Sequence, residues 1–146
     1  MGVFILKYIK MKNTKTECCH GISFPVRTQR LMTNVKIGEH KFIKLKGPGL
    51  FLSAQISKQS GNSDISFVDL RIYGNSVFNL SYASMVNLGF TQQNPYGMVL
   101  VKTGEIENVT LGFPYTLKYE KSLELSFTTR EERIKQVIAN GIFGKD

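Results

Sequence analysis

Apolar and polar residues alternate with a period of two over most of the chain from about residue 31 onward. Successive side chains of a β-strand point to opposite faces of a sheet, so this pattern predicts strands that are buried on one face. The segments that alternate most clearly carry Leu31, Thr33, Val35 and Ile37; Leu50, Leu52, Ala54 and Ile56; Val68, Leu70 and Ile72; Val109, Leu111 and Phe113; and Leu123, Leu125 and Phe127. We therefore expect an all-β protein.

Turn-forming residues separate the alternating segments at fairly regular spacing. Gly38-Glu39 and Gly47-Pro48-Gly49 each interrupt the alternation. Gly74-Asn75 predicts a tight hairpin, because both residues accept a positive φ. The polar stretch from Lys58 to Asp64 predicts a surface loop. At least seven strand candidates divided in this way are typical of a sandwich or barrel, and we predict an antiparallel β-sandwich of jelly-roll-like architecture.

Two internal segments depart from this alternation. Residues 81–88 have helical spacing, with Ser81 placed as an N-cap and Gly89 as a C-terminal stop, and this predicts one short helix. Met98 to Val101 form a continuous apolar run, which favours a strand buried on both faces.

The segment 130–143 fits two structures. Thr129-Arg130-Glu131-Glu132 matches a capping box and predicts a helix over the residues that follow. A turn at Glu131-Glu132 followed by a last strand is the alternative. We favour the strand, because a sandwich needs paired edges and the segment is rich in β-formers, namely Val137, Ile138, Ile142 and Phe143.

The net charge of +8 is concentrated in the N-terminal third of the 146-residue chain. Residues 1–48 carry ten Lys and Arg against Glu17 and Glu39, whereas the remainder carries nine residues of each sign. We expect a basic N-terminal arm over residues 1–30 and a single β-sandwich domain over residues 31–146. A basic segment on a neutral body raises the expectation of an acidic partner or an anionic surface.

The cysteines and the ends of the chain suggest neither a disulfide framework nor a membrane anchor. Cys18 and Cys19 are adjacent, and neighbouring residues do not easily meet disulfide geometry. A zinc site needs four convergent ligands, and His40 is the only histidine besides His20, so we expect no metal and no cofactor. The apolar run Val3-Phe4-Ile5-Leu6 is shorter than the h-region of an export signal, and no run approaches the ~18 residues of a membrane span. We favour the bacterial cytoplasm or a virion as the location.

Four phrases in residues 42–144 resemble those of one group of proteins. These are Phe42–Phe51 ending in Lys46-Gly47-Pro48-Gly49-Leu50, the strand Phe67-Val68-Asp69-Leu70-Arg71-Ile72-Tyr73-Gly74, the stretch from Val109 to Leu125, and the closing Ile142-Phe143-Gly144. They resemble jelly-roll or β-sandwich modules of tailed phages and prophages, whereas the first 30 residues lie outside the resemblance. Such modules are structural proteins of the virion, tail or baseplate and are often oligomeric. The resemblance implies an oligomeric structural component.

No constellation of residues predicts catalysis. Asp69 and Arg71 are two residues apart on a strand and are expected to form an ion pair. Glu131 and Glu132 are neighbours that point in different directions, so they do not form an acid and base pair. Gly47-Pro48-Gly49 lacks the lysine of a phosphate-binding loop. We predict that the protein is not an enzyme.

The sequence leaves two functions open, assembly and binding. We favour a non-enzymatic structural protein that forms a homo-oligomer, with an acidic partner contacting the N-terminal third. The alternative is a β-sandwich binding module for a glycan or nucleic acid. Nucleic acid is the less favoured ligand, because the basic third is poor in aromatic residues. The candidate contacts with a ligand or partner are Lys36, Lys41, Lys44, Lys46, Tyr73, Tyr96 and Tyr119.

Overall fold

The alternating segments form two antiparallel sheets that pack face to face. A computed structural model describes residues 25–61 and 64–145, and these contain nine strands and one helix. The strands are β1 (Val26–Val35), β2 (Gly38–Lys46), β3 (Gly49–Ser60), β4 (Ser66–Ile72), β5 (Asn75–Ser81), β6 (Met98–Thr103), β7 (Ile106–Tyr119), β8 (Ser122–Thr129) and β9 (Ile134–Lys145), and the helix is α1 (Tyr82–Asn87). The predicted all-β sandwich with one short helix is confirmed.

The strands that are neighbours in sequence are seldom neighbours in a sheet. The five-stranded sheet has the order β1-β9-β3-β7-β6, and the four-stranded sheet has the order β2-β8-β4-β5. The chain therefore changes sheet at most of its connections, and β3 lies at the centre of the larger sheet between β9 and β7. Every strand pair is antiparallel.

The core fills the space between the two sheets. Ile56, Val109 and Leu111 project from the five-stranded sheet and are fully buried. Phe127 projects from β8 in the other sheet. The centre of its ring lies 6.3 Å from the ring centre of Phe42 and 6.4 Å from that of Tyr82, and both pairs are edge to face. The inward-facing positions of both sheets are thus the apolar phase of the alternation.

The helix and the last strand match the sequence prediction. The Oγ atom of Ser81 accepts a hydrogen bond from the backbone N–H of Ser84 at 3.0 Å, so Ser81 is the N-cap of α1. Gly89 follows the helix with a φ of 81°. Residues 134–145 form β9, which pairs with both β1 and β3, so the segment after Glu132 is a strand rather than a helix.

The β4–β5 hairpin is confirmed, but its turn lies one residue earlier than predicted. Tyr73 and Gly74 have φ values of 51° and 79°, and Ile72 pairs with Asn75 across the turn. Positive φ at both central residues is the geometry of the tight turn that suits the right-handed twist of two paired strands.

The prediction that Met98–Val101 is buried on both faces is wrong. β6 is an edge strand, in which Leu100 faces the core while Val99 and Val101 are 39 % and 51 % exposed. The apolar run is continuous because the outward face of this strand also carries valines.

The first strand begins earlier than expected and changes phase near its end. β1 starts at Val26, so residues 26–30 belong to the sheet rather than to the predicted arm. Leu31 and Ile37 are more than half exposed, whereas Val35 is buried, so the prediction that Leu31, Thr33, Val35 and Ile37 share one face is wrong. Asn34 has a φ of 51°, which interrupts the alternation between Leu31 and Val35.

α1 spans six residues, and no helix among the described residues is long and apolar enough to cross a membrane.

Candidate functional site

The outward surface of the five-stranded sheet is almost free of charge. Strand register places its outward side chains in four rows, of which three cross the sheet from β6 to β1 and one runs from β7 to β1. The rows are Val99, Thr110, Gln55, Asn140 and Gln29; Val101, Asn108, Ser57, Ile138 and Leu31; Thr103, Ile106, Gln59, Gln136 and Thr33; and Gly112, Ser53, Ile142 and Arg27. Arg27 is the one charged residue in these rows. We call this surface the uncharged face.

The outer surface of the four-stranded sheet has the opposite character. One of its rows contains Lys41, Ser126, Asp69 and Asn79, and the next contains Lys44, Glu124, Arg71 and Ser76. Lys41 Nζ lies 3.4 Å from Glu124 Oε1. Lys41, Lys44 and Arg71 are exposed, whereas Ser126 and Asp69 between them are buried. The two outer surfaces of the sandwich therefore differ sharply in charge.

The predicted ion pair between Asp69 and Arg71 is present on this charged surface. Arg71 Nε donates to Asp69 Oδ2 at 2.6 Å, and Ser76 Oγ donates to the other carboxylate oxygen at 2.8 Å. The hydrogen bond from Arg71 to Asp69 raises the pKa of the guanidinium. The ion pair lies within β4, and the hydrogen bond from Ser76 connects it to β5.

A depression of about 370 Å³ lies in the uncharged face. Its lining includes Arg27 at one side together with Ser53, Gln55, Thr110 and Asn140. The Oδ1 atom of Asn140 is shielded from solvent and has no hydrogen-bond donor among the described residues. A buried amide oxygen of this kind is satisfied when a donor from outside the sheet enters the depression.

The four predicted contact lysines follow one edge of the sandwich. Lys36 lies between β1 and β2, whereas Lys41, Lys44 and Lys46 lie on β2, which is the edge strand of its sheet. All four are exposed. We call them the basic edge.

The three predicted tyrosines do not form one surface. Tyr73 is exposed in the β4–β5 turn, where the ammonium of Lys121 lies 5.0 Å from its ring centre. Tyr96 is exposed in the loop that connects α1 to β6. Tyr119 is only 4 % exposed, so the structure does not present it for stacking on a ligand. Tyr119 and Lys46 instead line the same cavity of about 190 Å³ between the starts of β1 and β3.

A cluster of five charged residues, three of them buried, lies at one end of the sandwich, and the sequence analysis missed it. The cluster consists of Lys58, Asp64, Lys102, Glu107 and Glu131, which we call the ion cluster. The side chains of Lys58 and Glu131 are 3 % and 0 % exposed. Lys58 was predicted to begin a surface loop, but β3 continues to Ser60 and turns Lys58 into the core.

Lys58 is the centre of the ion cluster. Its Nζ lies 2.9 Å from Glu107 Oε1, 3.1 Å from Glu131 Oε2 and 3.7 Å from Asp64 Oδ1. The same ammonium lies 5.5 Å from the ring centre of the buried Tyr82. Three carboxylates and an aromatic face therefore surround one buried cation.

Hydrogen bonds fix the second layer of the ion cluster. Ser66 Oγ donates to Glu131 Oε2, and the backbone N–H of Glu131 donates to Thr129 Oγ1 at 2.9 Å. Tyr82 donates its hydroxyl proton to the carbonyl of Ile56 at 3.0 Å. The cluster thereby ties β3 and β7 of one sheet to β4 and β8 of the other and to α1.

Strand register explains how the charges come to face inward. Lys58 pairs with Glu107 across β3 and β7, and Glu107 pairs with Lys102 across β7 and β6. Each charge continues the core-facing phase of its strand, as Lys58 follows Ile56 and Glu107 precedes Val109. This phase was the sequence signal that could have revealed the cluster.

Burial and charge move the pKa values of the cluster in opposite directions. Burial and the neighbouring Glu107 raise the pKa of Asp64. Burial alone would also raise the pKa of Glu107, but hydrogen bonds from Lys102 and Lys58 outweigh it and lower that pKa. The hydrogen bond to Glu107 raises the pKa of Lys102. The cluster therefore favours the ionised form of Glu107, whereas the neighbouring Asp64 retains its proton more readily than an ordinary aspartate.

Residues 25–61 and 64–145 contain no group of three His, Cys, Asp or Glu side chains arranged to hold a metal ion. Cys18, Cys19 and His20 lie outside the described residues. Comparison with models of known protein families and with curated protein sequences finds no match to this chain.

Replacing Lys58 is expected to destabilise the protein strongly. The Lys58→Met variant leaves buried carboxylates without their cation, and the free energy of unfolding should fall by about 3–5 kcal/mol. Urea denaturation measures the change. The matched control is Lys135→Met, because Lys135 is 65 % exposed and pairs with Glu105 at the surface, and this variant should lose less than about 1 kcal/mol. Equal losses in the two variants would contradict the account.

The stability of the protein is expected to decrease as the pH is lowered, in part because Glu105 becomes protonated. Hydrogen bonds from Ser60, then Gln59 and Lys135, lower the pKa of Glu105 from 4.5 to about 2. A carboxyl with a lowered pKa stabilises the folded state above its ordinary pKa, and that contribution disappears as the pH falls from 4.5 to 2. Glu107 acts in the same direction and Asp64 in the opposite one.

The Glu105→Gln variant cannot ionise at this position, so its stability should decrease less steeply than that of the wild type between pH 5 and pH 2. Urea denaturation at a series of pH values measures both slopes. Parallel curves for the two proteins would show that Glu105 makes no such contribution.

Proposed function

We propose that the protein is a non-enzymatic structural component that self-assembles through the uncharged face, of the kind found in phage virions or tails. The observation that carries this proposal is the charge contrast between the two outer surfaces of the sandwich. Charged side chains cost more free energy to remove from water than uncharged ones, so the surface with almost no charge is the one that is cheaper to bury. Depletion of charge is the compositional mark of the buried centre of an interface.

The side chains of the uncharged face suit contact with a second copy. Amides and hydroxyls such as Gln55, Thr110 and Asn140 can donate and accept hydrogen bonds. Val99, Val101 and Ile142 add exposed apolar area around them. Because the face carries both hydrogen-bond donors and hydrogen-bond acceptors, two copies related by a two-fold axis can form hydrogen bonds with one another.

The size of the face agrees with a subunit contact. Five strands about 4.8 Å apart and four rows about 6.7 Å apart give roughly 24 Å by 27 Å, or about 650 Å². A standard protein interface buries about 800 Å² on each partner. The face and its rim therefore provide the area of a specific contact.

The strand order supports the phage part of the proposal. The series β1-β9-β3-β7 in one sheet lies opposite β2-β8-β4-β5 in the other, and two facing four-stranded series of this kind support a jelly roll. Jelly rolls are found in viral capsid and lectin domains. A fold of this type suits the structural role that the sequence resemblance implies, although folds alone do not determine function.

A single charge in the middle of the uncharged face should disrupt assembly. Gln55 lies on the central strand β3, so Gln55→Glu places carboxylates near one another in a two-fold interface and costs the desolvation of each. Light scattering coupled to size-exclusion chromatography should show an oligomer for the wild type. For the variant, the dissociation constant of the oligomer should be at least tenfold higher.

The matched control is Gln93→Glu, the same chemical change in the exposed loop between α1 and β6, and it should associate like the wild type. A wild-type protein that remains monomeric at high concentration would overturn the proposed function. An oligomer that Gln55→Glu leaves intact would remove the uncharged face from the interface.

The basic edge supports a second function, contact with an acidic partner or polyanion. No carboxylate among the described residues forms an ion pair with Lys36, Lys44 or Lys46. Unneutralised lysines along one strand attract a polyanion without reading its sequence. This contact would lie on the four-stranded sheet and leave the uncharged face free.

The double variant Lys44→Gln/Lys46→Gln is expected to bind a polyanion with a weaker salt dependence. In a titration with duplex DNA, the slope of log affinity against log salt should decrease in magnitude by about 2, one for each lost contact. The control variant Lys118→Gln/Lys135→Gln removes two lysines outside the basic edge and should retain more of the slope. Equal slopes in the two variants would contradict a site at the basic edge.

A further inference from the structure

The four strands at the margins of the sheets differ in how well their open sides are protected. An open edge strand exposes unpaired backbone N–H and C=O groups and can pair with another chain. The margins are β1 and β6 in the five-stranded sheet and β2 and β5 in the four-stranded sheet. β1 and β2 lie on the same side of the sandwich, since Arg30 Nη1 donates to the backbone carbonyl of Lys41 at 2.8 Å.

Three of these four edges carry a feature that opposes pairing. β2 has a bulge between Lys41 and Ile43 and presents the lysines of the basic edge. β5 has an irregular register between Leu70 and Arg71 of its partner strand. The loop after α1 covers β6, where the backbone N–H of Leu100 donates to the carbonyl of Phe90 at 2.8 Å. Bulges, lysines and covering loops are the usual protection of a sheet edge.

β1 has none of these protections among the described residues. It is 10 residues long and pairs with β9 from Val26 to Val35 without a register shift. Its outward side chains Gln29, Leu31 and Thr33 are uncharged, the outward Arg27 lies near the start of the strand, and Leu31 is 52 % exposed. From Val26 to Thr33 this edge is regular and has an exposed apolar residue near its centre, and such an edge is a template for strand pairing.

We infer that β1 pairs antiparallel with β1 of a second copy of this chain and joins the two five-stranded sheets into one continuous sheet. The inference rests on the proposed self-assembly and adds its geometry. The uncharged faces of the two copies then lie side by side and form one surface of twice the area. Assembly thus proceeds by edge pairing and by stacking of the enlarged uncharged face.

The charges of β1 select the register of this pairing. Directly opposite residues of an antiparallel pair share a face, so the two central registers place either Arg30 opposite Arg30 or Leu31 opposite Leu31. Like charges directly opposite each other destabilise a sheet, whereas apolar pairs stabilise it. We therefore assign Leu31 to the two-fold axis, with Gln29 opposite Thr33 of the second copy.

Cysteine cross-linking tests the pairing and its register. In a full-length background with Cys18→Ser and Cys19→Ser, the variants Leu31→Cys and Lys44→Cys are treated with a short bis-maleimide. Lys44 lies on the protected edge β2 and provides the control. Leu31→Cys should yield covalent dimer at least tenfold faster than Lys44→Cys. A mixture of Gln29→Cys with Thr33→Cys should cross-link faster than either variant alone.

Light scattering on the same samples separates this inference from the proposed function. Oligomers without preferential cross-linking at Leu31 would overturn edge pairing and leave self-assembly standing. Equal cross-linking of Gln29→Cys alone and in the mixture would overturn the assigned register. Monomers throughout the concentration range would overturn both proposals.

Discussion

The register of β3 with its two neighbours is the constraint on which the rest of the structure depends. β3 is the central strand of the five-stranded sheet, and its side chains alternate between Ala54, Ile56 and Lys58 on the inner side and Gln55 and Ser57 on the outer side. A slip of one residue would exchange the two sets. Lys58 would then leave its carboxylates and Gln55 would enter the core, so the buried charges specify the same register as the apolar residues.

The ion cluster and the uncharged face are two consequences of this one register. At one end of the sandwich the inward positions of β3, β7 and β6 carry Lys58, Glu107 and Lys102 instead of apolar residues. A buried ion pair is poor evidence of stability by itself, but removing one partner is costly, so the cluster penalises any misaligned sheet. The outward positions on the same strands are the uncharged rows. The proposed contact with another copy depends on the alignment of those rows.

Much of the fold could be predicted from the sequence, because most strands have one buried face and alternate with a period of two. This holds for the strands around Leu70 and Leu125 and for the helix capped by Ser81. The prediction failed where a charge occupies an inward position. Lys58 ends the apolar pattern of β3, so it suggested a loop, although its phase is that of Ile56. Glu131 gave no signal, since it lies in the connection between β8 and β9 and only the fold brings it to Lys58.

The candidate surfaces were harder to predict than the strands. The basic edge was recognisable because its lysines are close in sequence, whereas the uncharged face consists of residues from five strands that only strand order places together. The prediction for Met98–Val101 was wrong because an outward face that carries valines has the same sequence pattern as a buried face, and only strand order distinguishes the two. An outer sheet surface with apolar residues and almost no charge can therefore be recognised only once the strand order is known.

Hydrogen–deuterium exchange at low and high protein concentration tests the central claim most directly, because it reports backbone protection strand by strand. If the five-stranded sheet is the surface of assembly, amides of β1 should become protected at the concentration at which oligomers form, while those of β2 keep their exchange rates. Oligomers that protect β2 and leave β1 unchanged would contradict the account.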